Sequence, residues 1–294
     1  MQAYVINLAR SADRRAHIVA QLGKAQVNYE IVNAVDGRDL DLSDTRVVDP
    51  VFAATIVAHP GIVGCALSHL EAYRRILNDG LEIACILEDD VVLPADLGVL
   101  IDEITPQMSG AEVVLLNFHS REPCRITKLG AAQLSSSRLL VQVADRAQAE
   151  STGAYLITRE ACARMVKTVL PVKAAADSWG FFCTEGAIDR LRCVVPMPVI
   201  QSPALRTTLS YYRPGSIYAS VREAVASSRA PILRQALAFR RRRHWRRAAI
   251  GKTEFVEDLP ASVGGDGSGQ GSAADREHPP ISQPTSNAVP PNGI

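Results

Sequence analysis

Three consecutive acids, Glu88, Asp89 and Asp90, follow directly on the apolar run IACIL (83–87). An unbroken apolar run of this length reads as a central strand covered on both faces. In open α/β sheets, ligands gather beyond the carboxyl ends of such strands. Adjacent carboxylates repel one another unless a cation or basic side chains neutralise them, and hard oxygen donors favour Mg²⁺ or Mn²⁺. An ion held there could bridge the two phosphates of a nucleotide-sugar and stabilise the charge on a departing diphosphate. Alternate side chains of an extended chain share a face, so Glu88 and Asp90 are the expected ligands and Asp89 a supporting group. Taken alone, an acidic triplet after a strand is more often a solvated turn, and its neighbours must decide.

The elements that would position these acids are legible in the hydrophobic pattern. Tyr4 to Leu8 reads as a strand, and Ser11 as the N-cap of a helix carrying Ile18, Val19 and Leu22 at helical period. YEIVNAV (29–35) is a second strand ending at the turn Asp36-Gly37. Residues 38–60 read as a loop or lid. A helix is expected from Gly64, with Leu67, Leu70, Tyr73, Ile76 and Leu77 on one face, ending at Asn78-Asp79-Gly80. EVVLLNF (112–118) and GAYLIT (153–158) are further buried strands, the latter leading into a helix over 159–169. CVVPMPV (193–199) is expected as a last strand, confined to a sheet edge by Pro196 and Pro198. Strands alternating with helices predict an α/β fold with a largely parallel central sheet.

Composition bounds the rest. Of 294 residues, 47% are hydrophobic and 21% charged, which suffices for a sizeable core. No run approaches the roughly 18 apolar residues of a membrane span, and no signal peptide is recognised. The six cysteines show no paired spacing, which points to reduced thiols and a cytoplasmic setting. Residues 222–252 hold ten Lys/Arg against Glu223, a net +9 within a chain of net +1, so the body is acidic and this segment basic. The expected organisation is a domain over 1–215, a basic helical segment over 216–252 and a disordered tail over 253–294, rich in Gly, Ser and Pro. The stretch Arg240–Arg247, with Trp245 among the arginines, suits the interface of an anionic membrane, which would make the protein peripheral at the inner face of the plasma membrane. Two rival readings remain: a nucleic-acid-binding module, which accounts for the basic segment only and which an acidic body opposes, and a sugar-nucleotide nucleotidyltransferase, whose Gly-rich phosphate loop is missing around Asn7 to Arg15.

Five motifs occur in order: VINLARSADRR (5–15), NAVDG (33–37), GCALSH (64–69), CILEDDVVL (85–93) and GAYLIT (153–158). Together they resemble glycosyltransferase family 25, the lipooligosaccharide galactosyltransferases, over roughly residues 1–205. The resemblance implies a GT-A-like nucleotide-sugar-binding fold, a UDP-sugar donor such as UDP-galactose, a divalent metal (Mn²⁺ or Mg²⁺), inversion at the anomeric carbon, and a glycan or lipid-linked glycan acceptor, with no nucleic-acid partner. It places Asn7 and Arg10 at the base and ribose, Arg14 at phosphate, Asp36 beside the nucleotide, Ser68 and His69 at donor or acceptor, and the metal on Glu88 and Asp90. An inverting transfer also needs a base for the acceptor hydroxyl. The stretch PVKAAADSWGFFC (171–183) offers Asp177, and Glu185 is the alternative, on looser spacing than the family shows.

Overall fold

The pattern of apolar residues resolves into one large sheet with helices on both faces. The computed structural model describes residues 1–55, 59–120, 123–135, 137–202, 205 and 253–256. The chain opens with β1 (Gln2–Asn7), α1 (Ala12–Ala25) and β2 (Asn28–Asn33), a βαβ unit whose strands pair in parallel. After the short helix α2 (Pro50–Ala53) comes α3 (Pro60–Asn78), then β3 (Ile83–Glu88), which pairs in parallel with the other side of β1. The tiny strand β4 (Val91–Val92) and helix α4 (Leu97–Ile104) lead to β5 (Glu112–Leu115), β6 (Cys124–Gln133) and β7 (Leu139–Val143). Then follow β8 (Ala154–Thr158), α5 (Arg159–Thr168), α6 (Trp179–Thr184), β9 (Arg190–Val195), β10 (Ile200–Gln201) and β11 (Thr253–Val256).

The nine-stranded sheet runs β11-β6-β7-β9-β5-β8-β3-β1-β2. Strands β2, β1 and β3 form a parallel block, and β5 and β9 a second parallel pair. Strand β8 is inserted between them antiparallel to both neighbours. The class is α/β, as the sequence indicates. Side-chain alternation along each strand divides the core: Tyr4, Ile6, Ala84 and Ile86 pack against α3 and its neighbour α5, whereas Ala3, Val5, Cys85 and Leu87 pack against α1 and α4. Both faces are buried, which explains why β1 and β3 read as unbroken apolar runs.

Several boundaries differ from the sequence reading, each for a physical reason. Helix α3 begins at Pro60, with the His59 side chain accepting a hydrogen bond from the Gly61 N–H; Pro at the first position has no N–H to lose, so the proline expected to end a loop starts the helix instead. Gly64 to His69 therefore lies inside the helix and not at its N-terminus. Strand β9 is interior, between β7 and β5, because it ends at Val195 and both prolines fall after it. The hairpin β6–β7 is an addition to the expected elements, since its residues carry no clean alternation. Residues Thr253–Val256, expected to open the disordered tail, form β11 and pair in parallel with β6. The basic segment over 216–252 lies outside the described residues, as does the remainder of the tail. No helix among the described residues is long and apolar enough to cross a membrane.

Candidate active site

The parallel strands β1, β2 and β3 end side by side, and their carboxyl ends open on a cleft of about 420 Å³. Its walls include Arg10 and Arg14 from the first motif, Asp36 and Gly37 from the second, Cys65, Ser68 and His69 from the third, and Glu88 and Asp89 from the fourth. The start of α3 (His59, Pro60, Gly61) closes one side, so the positive end of a 19-residue helix faces the cleft. Four sequence motifs thus meet at one place.

Close packing explains two of the motifs. A Cβ on Gly37 would stand 2.0 Å from the Pro60 carbonyl oxygen, and one on Gly64 would stand 2.8 Å from the Val35 carbonyl oxygen. Helix α3 therefore lies directly on the turn after β2, which only glycine at both positions permits. Ser68 fastens the contact: its hydroxyl donates to the Gly64 carbonyl at 2.6 Å and accepts from the Val35 N–H at 2.9 Å. Its bonds serve the packing of the cleft wall rather than reaching into the cleft.

The acids are held in a graded way. Asp89 and Asp90 form a turn after β3, so strict alternation does not apply to them; the turn, not an extended chain, sets where Asp90 points. Arg14 is buried and places one guanidinium nitrogen 2.7 Å from Asp89 Oδ1 and 2.6 Å from Asp90 Oδ2. It offsets part of the charge of the acid pair and also lines the cleft, where the phosphate contact expected of it would be made. Asn7 is likewise committed: it does not line the cleft, and its amide donates to Asp89 Oδ2 at 2.6 Å and to the Ser11 carbonyl at 3.1 Å. The base and ribose contact expected of Asn7 gives way to support of the acid turn. Strand β10, paired with β4, closes the back of that turn through the Ser202 N–H, which donates to the Asp90 carbonyl.

Glu88 points the other way, toward α3. Thr152 donates to its Oε1 at 2.6 Å, and His69 Nε2 stands 3.7 Å from the same oxygen. Burial tends to raise the Glu88 carboxyl, but the neighbouring His69 and the Thr152 hydroxyl outweigh it and hold the group below its ordinary value. Asp90 is the opposite case: burial, then the charge of Glu88, push it from 3.8 up to about 7, against the pull of Arg14. Burial also raises Asp89, while Arg14 and the Asn7 amide draw it back. Asp90 Oδ1 is buried without a hydrogen-bond partner. Asp90 Oδ1, left over where three neighbouring carboxylates share one arginine, is an oxygen that suits a hard divalent cation, which Glu88 could join only by turning back from α3.

At the rim, Asp36 is paired with both Arg10 and Arg38. Both guanidiniums are exposed, so either one can leave the carboxylate for a phosphate. His69 is 1% exposed; its Nδ1 is 2.7 Å from the Tyr155 hydroxyl, which is 3.0 Å from that of Tyr73. It belongs to the wall of the cleft, with Nε2 buried there.

The two candidate bases separate. Asp177 is half-buried and its Oδ2 accepts from the Ser151 N–H at 3.2 Å. Ser151 sits at φ 102°, a backbone region that side chains other than glycine rarely adopt, and is held there by its hydroxyl bond to Asn117, by the Gly153 N–H and by the Trp179 indole N–H. The Cys65 thiol, raised first by burial, also feels the charges of Glu88, Asp177 and Asp90, although Asp177, like Glu185, is not among the residues that line the cleft. Glu185 is exposed at the end of α6 and lines no part of the cleft, because α6 turns its buried side, Trp179 and Phe182, inward instead. The expectation that Glu185 could act as the base is corrected by that placement. Trp179 and Phe182 belong to the core and offer no face to a sugar. Cys65, Arg38, Thr152 and Tyr155 join the site without having been marked by the sequence; the spacing of Cys65 and His69, four apart on a helix, is the one signal that could have revealed a pairing.

Residues 1–179 match the family described as Glycosyltransferase family 25 (LPS biosynthesis protein). The chain is similar to the lacto-N-neotetraose biosynthesis glycosyltransferase LgtE of Neisseria meningitidis serogroup B, at 29% identity over 72% of this chain and 75% of that protein. It is 31% identical to procollagen galactosyltransferase 2 of Homo sapiens over 31% of this chain, and 34% identical to the probable inactive glycosyltransferase 25 family member 3 of Bos taurus over a similar stretch. The chain spans only 16% of the length of these two vertebrate relatives. Among solved structures, a glycosyltransferase involved in glycosylation of the major capsid of PBCV-1 aligns with a TM-score of 0.28 at 8% identity, over 56% of this chain and 62% of that one. The family match covers more than half of the sequence and takes in every acid, arginine and wall residue of the cleft: the chain belongs to glycosyltransferase family 25.

Proposed function

We propose that this chain is a metal-dependent, inverting glycosyltransferase that moves a sugar, with galactose from UDP-galactose as the first candidate, onto a glycan of lipooligosaccharide or a related surface polysaccharide. The observation that carries this reading is the convergence of exposed arginines, a helix N-terminus and a partly uncompensated acid cluster around one cleft of about 420 Å³, a size suited to a nucleotide. Glu88 and Asp90 would hold Mn²⁺ or Mg²⁺, which supplies charge neutralisation at the departing diphosphate. Arg14 and Asn7 orient Asp89 and Asp90 so that the acid turn keeps its shape before a donor arrives. Arg10 and Arg38 exchange Asp36 for phosphate oxygens, leaving Asp36 to accept hydrogen bonds from ribose or uracil. Asp177, oriented by the Ser151 N–H, takes the proton of the acceptor hydroxyl at a carboxylate oxygen as the attack proceeds from the face opposite the diphosphate.

The name of the family member called inactive makes activity the point to test. Purified protein is incubated with a panel of UDP-sugars and Mn²⁺, and slow donor hydrolysis is followed. Wild type is expected to hydrolyse one UDP-sugar, with loss of turnover on chelation or in Asp90→Ala; turnover that survives both would sink the mechanism. The basic stretch Arg240–Arg247, outside the described residues, supports docking on an anionic membrane that carries the acceptor. Salt-sensitive cosedimentation with anionic vesicles, lost on truncation after residue 215, is the expected result.

A further inference from the structure

His69 presents a buried nitrogen with nothing to bond. Its ring is 1% exposed, Nδ1 is taken by Tyr155, and Nε2 has no hydrogen-bond partner. An imidazole nitrogen so placed is destabilising unless a ligand satisfies it. Two other donor groups stand around it. Cys65 is one turn earlier on α3, on the same face, and Glu88 ends β3 opposite; the Cys65 Sγ, a His69 ring nitrogen and a Glu88 oxygen all lie within 4.8 Å of one another. His69 Nε2 and Glu88 Oε1 are 3.7 Å apart, too far for a hydrogen bond. Two ligands at about 2.0 Å from one tetrahedral ion are separated by roughly 3.3 Å, so a shift of a few tenths of an ångström would let both reach it.

We propose that Cys65, His69 and Glu88 form a site for Zn²⁺ or a cation of similar softness, distinct in its donors from the hard-cation pair Glu88 and Asp90 and sharing Glu88 with it. Sulfur, nitrogen and one carboxylate oxygen select Zn²⁺ or Co²⁺ over Mg²⁺. The Tyr155 hydroxyl on Nδ1, itself bonded to Tyr73, fixes the ring so that Nε2 faces the ion, the arrangement by which metal-bound histidines are usually oriented. Three protein ligands leave a fourth position open to the cleft for water or a phosphate oxygen. On binding, the Cys65 thiol releases its proton to solvent and bonds as the thiolate, and Glu88 is held in the orientation toward α3 that it already has. Zn²⁺ at this site therefore excludes Mn²⁺ from Glu88, making the site inhibitory. The spacing of Cys65 and His69 places both on one helical face at no cost in backbone geometry.

Cobalt(II) titrated into the full-length protein is expected to give a thiolate-to-metal charge-transfer absorption at one equivalent, removed by Zn²⁺. The band should be absent from Cys65→Ser and weakened at least tenfold in apparent affinity in His69→Gln. In parallel, Zn²⁺ should protect Cys65 from iodoacetamide in the wild-type protein, read by peptide mass spectrometry, a measurement that does not depend on any variant folding. Absence of the band in wild type, its persistence in Cys65→Ser, or equal alkylation of Cys65 with and without Zn²⁺ would each overturn the assignment. The proposal stands apart from the nucleotide-sugar reading: a cobalt band without UDP binding would remove that reading and keep this one, and UDP–Mn²⁺ binding without the band would do the reverse.

Discussion

Replacing Asp90 by Asn should make the metal-free protein more stable at neutral pH while abolishing its response to Mn²⁺ and UDP. The carboxyl is pushed from 3.8 to about 7 by burial and by Glu88, so its ionised form is less at home in the folded protein than in the unfolded chain. A tenfold change in proton affinity between the two states corresponds to about 1.4 kcal/mol, so the penalty at pH 7 and above has an upper value of about 4 kcal/mol. Asn keeps the shape and removes the charge, and Arg14 retains Asp89 as its partner. A gain of about 2–4 kcal/mol is expected, or on the order of 5–10 °C in melting temperature for a domain of this size. The pH dependence fixes the cause. Below pH 4 the group is protonated in both states and contributes nothing. Between about 4 and 7 the folded protein keeps a proton that the unfolded chain releases, so the wild type loses stability as pH rises, whereas the variant does not. Thermal melts of both proteins at pH 4 and 7.5, in chelator and in Mn²⁺ with UDP, measure the four corners: the variant should lead only at pH 7.5 in chelator, and the wild type alone should gain from ligand. A variant less stable than wild type at pH 7.5 in chelator would show that the Arg14 pair outweighs burial, and would refute the account of Asp90 as a carboxylate kept short of partners for a cation.

Three further outcomes follow from the same geometry. Asp177→Asn should reduce sugar transfer by about 10²-fold or more, the usual worth of a general base, while UDP–Mn²⁺ affinity measured by calorimetry stays within about twofold, and the exposed Glu185→Gln should leave both unchanged. Arg192→Leu should destabilise the fold by about 1–3 kcal/mol in urea titration, because it strips the buried Glu112 Oε1 of its guanidinium and leaves the carboxylate only the longer pair to Arg190 and the Ser109 N–H, both on Oε2; adding Glu112→Gln should restore part of the loss. Gly64→Ala puts a Cβ against the Val35 carbonyl and should cost about 1–3 kcal/mol, with a weaker UDP affinity as α3 is displaced from the turn that carries Asp36.

The sequence by itself determined the elements nearest the site and the chemistry available there. IACIL followed by three acids could only be a covered strand ending in a charged turn, and β3 with Glu88 at its carboxyl end is that arrangement. The same logic located β1 and β8, since a sheet buried on both faces leaves long apolar runs, whereas the edge strand β2 was marked by the turn Asp36-Gly37 beyond it. Where burial is one-sided or broken, the signal fades: the hairpin β6–β7 has exposed residues through its middle, and nothing local announces it. Which acid meets which base is not a local property at all. Asn7 and Asp89 are 82 positions apart, yet parallel pairing of β1 with β3 sets their strand ends side by side and turns an expected nucleotide contact into a support. Arg14 reaches two acids because α1 crosses the end of β3, and Cys65 finds Glu88 because α3 covers the same strand from the opposite face. Spacing along the chain names the groups; the order of the strands and the side on which each helix packs decide their partners, because these interactions fall off within a few ångströms and only the folded sheet brings such distant residues that close.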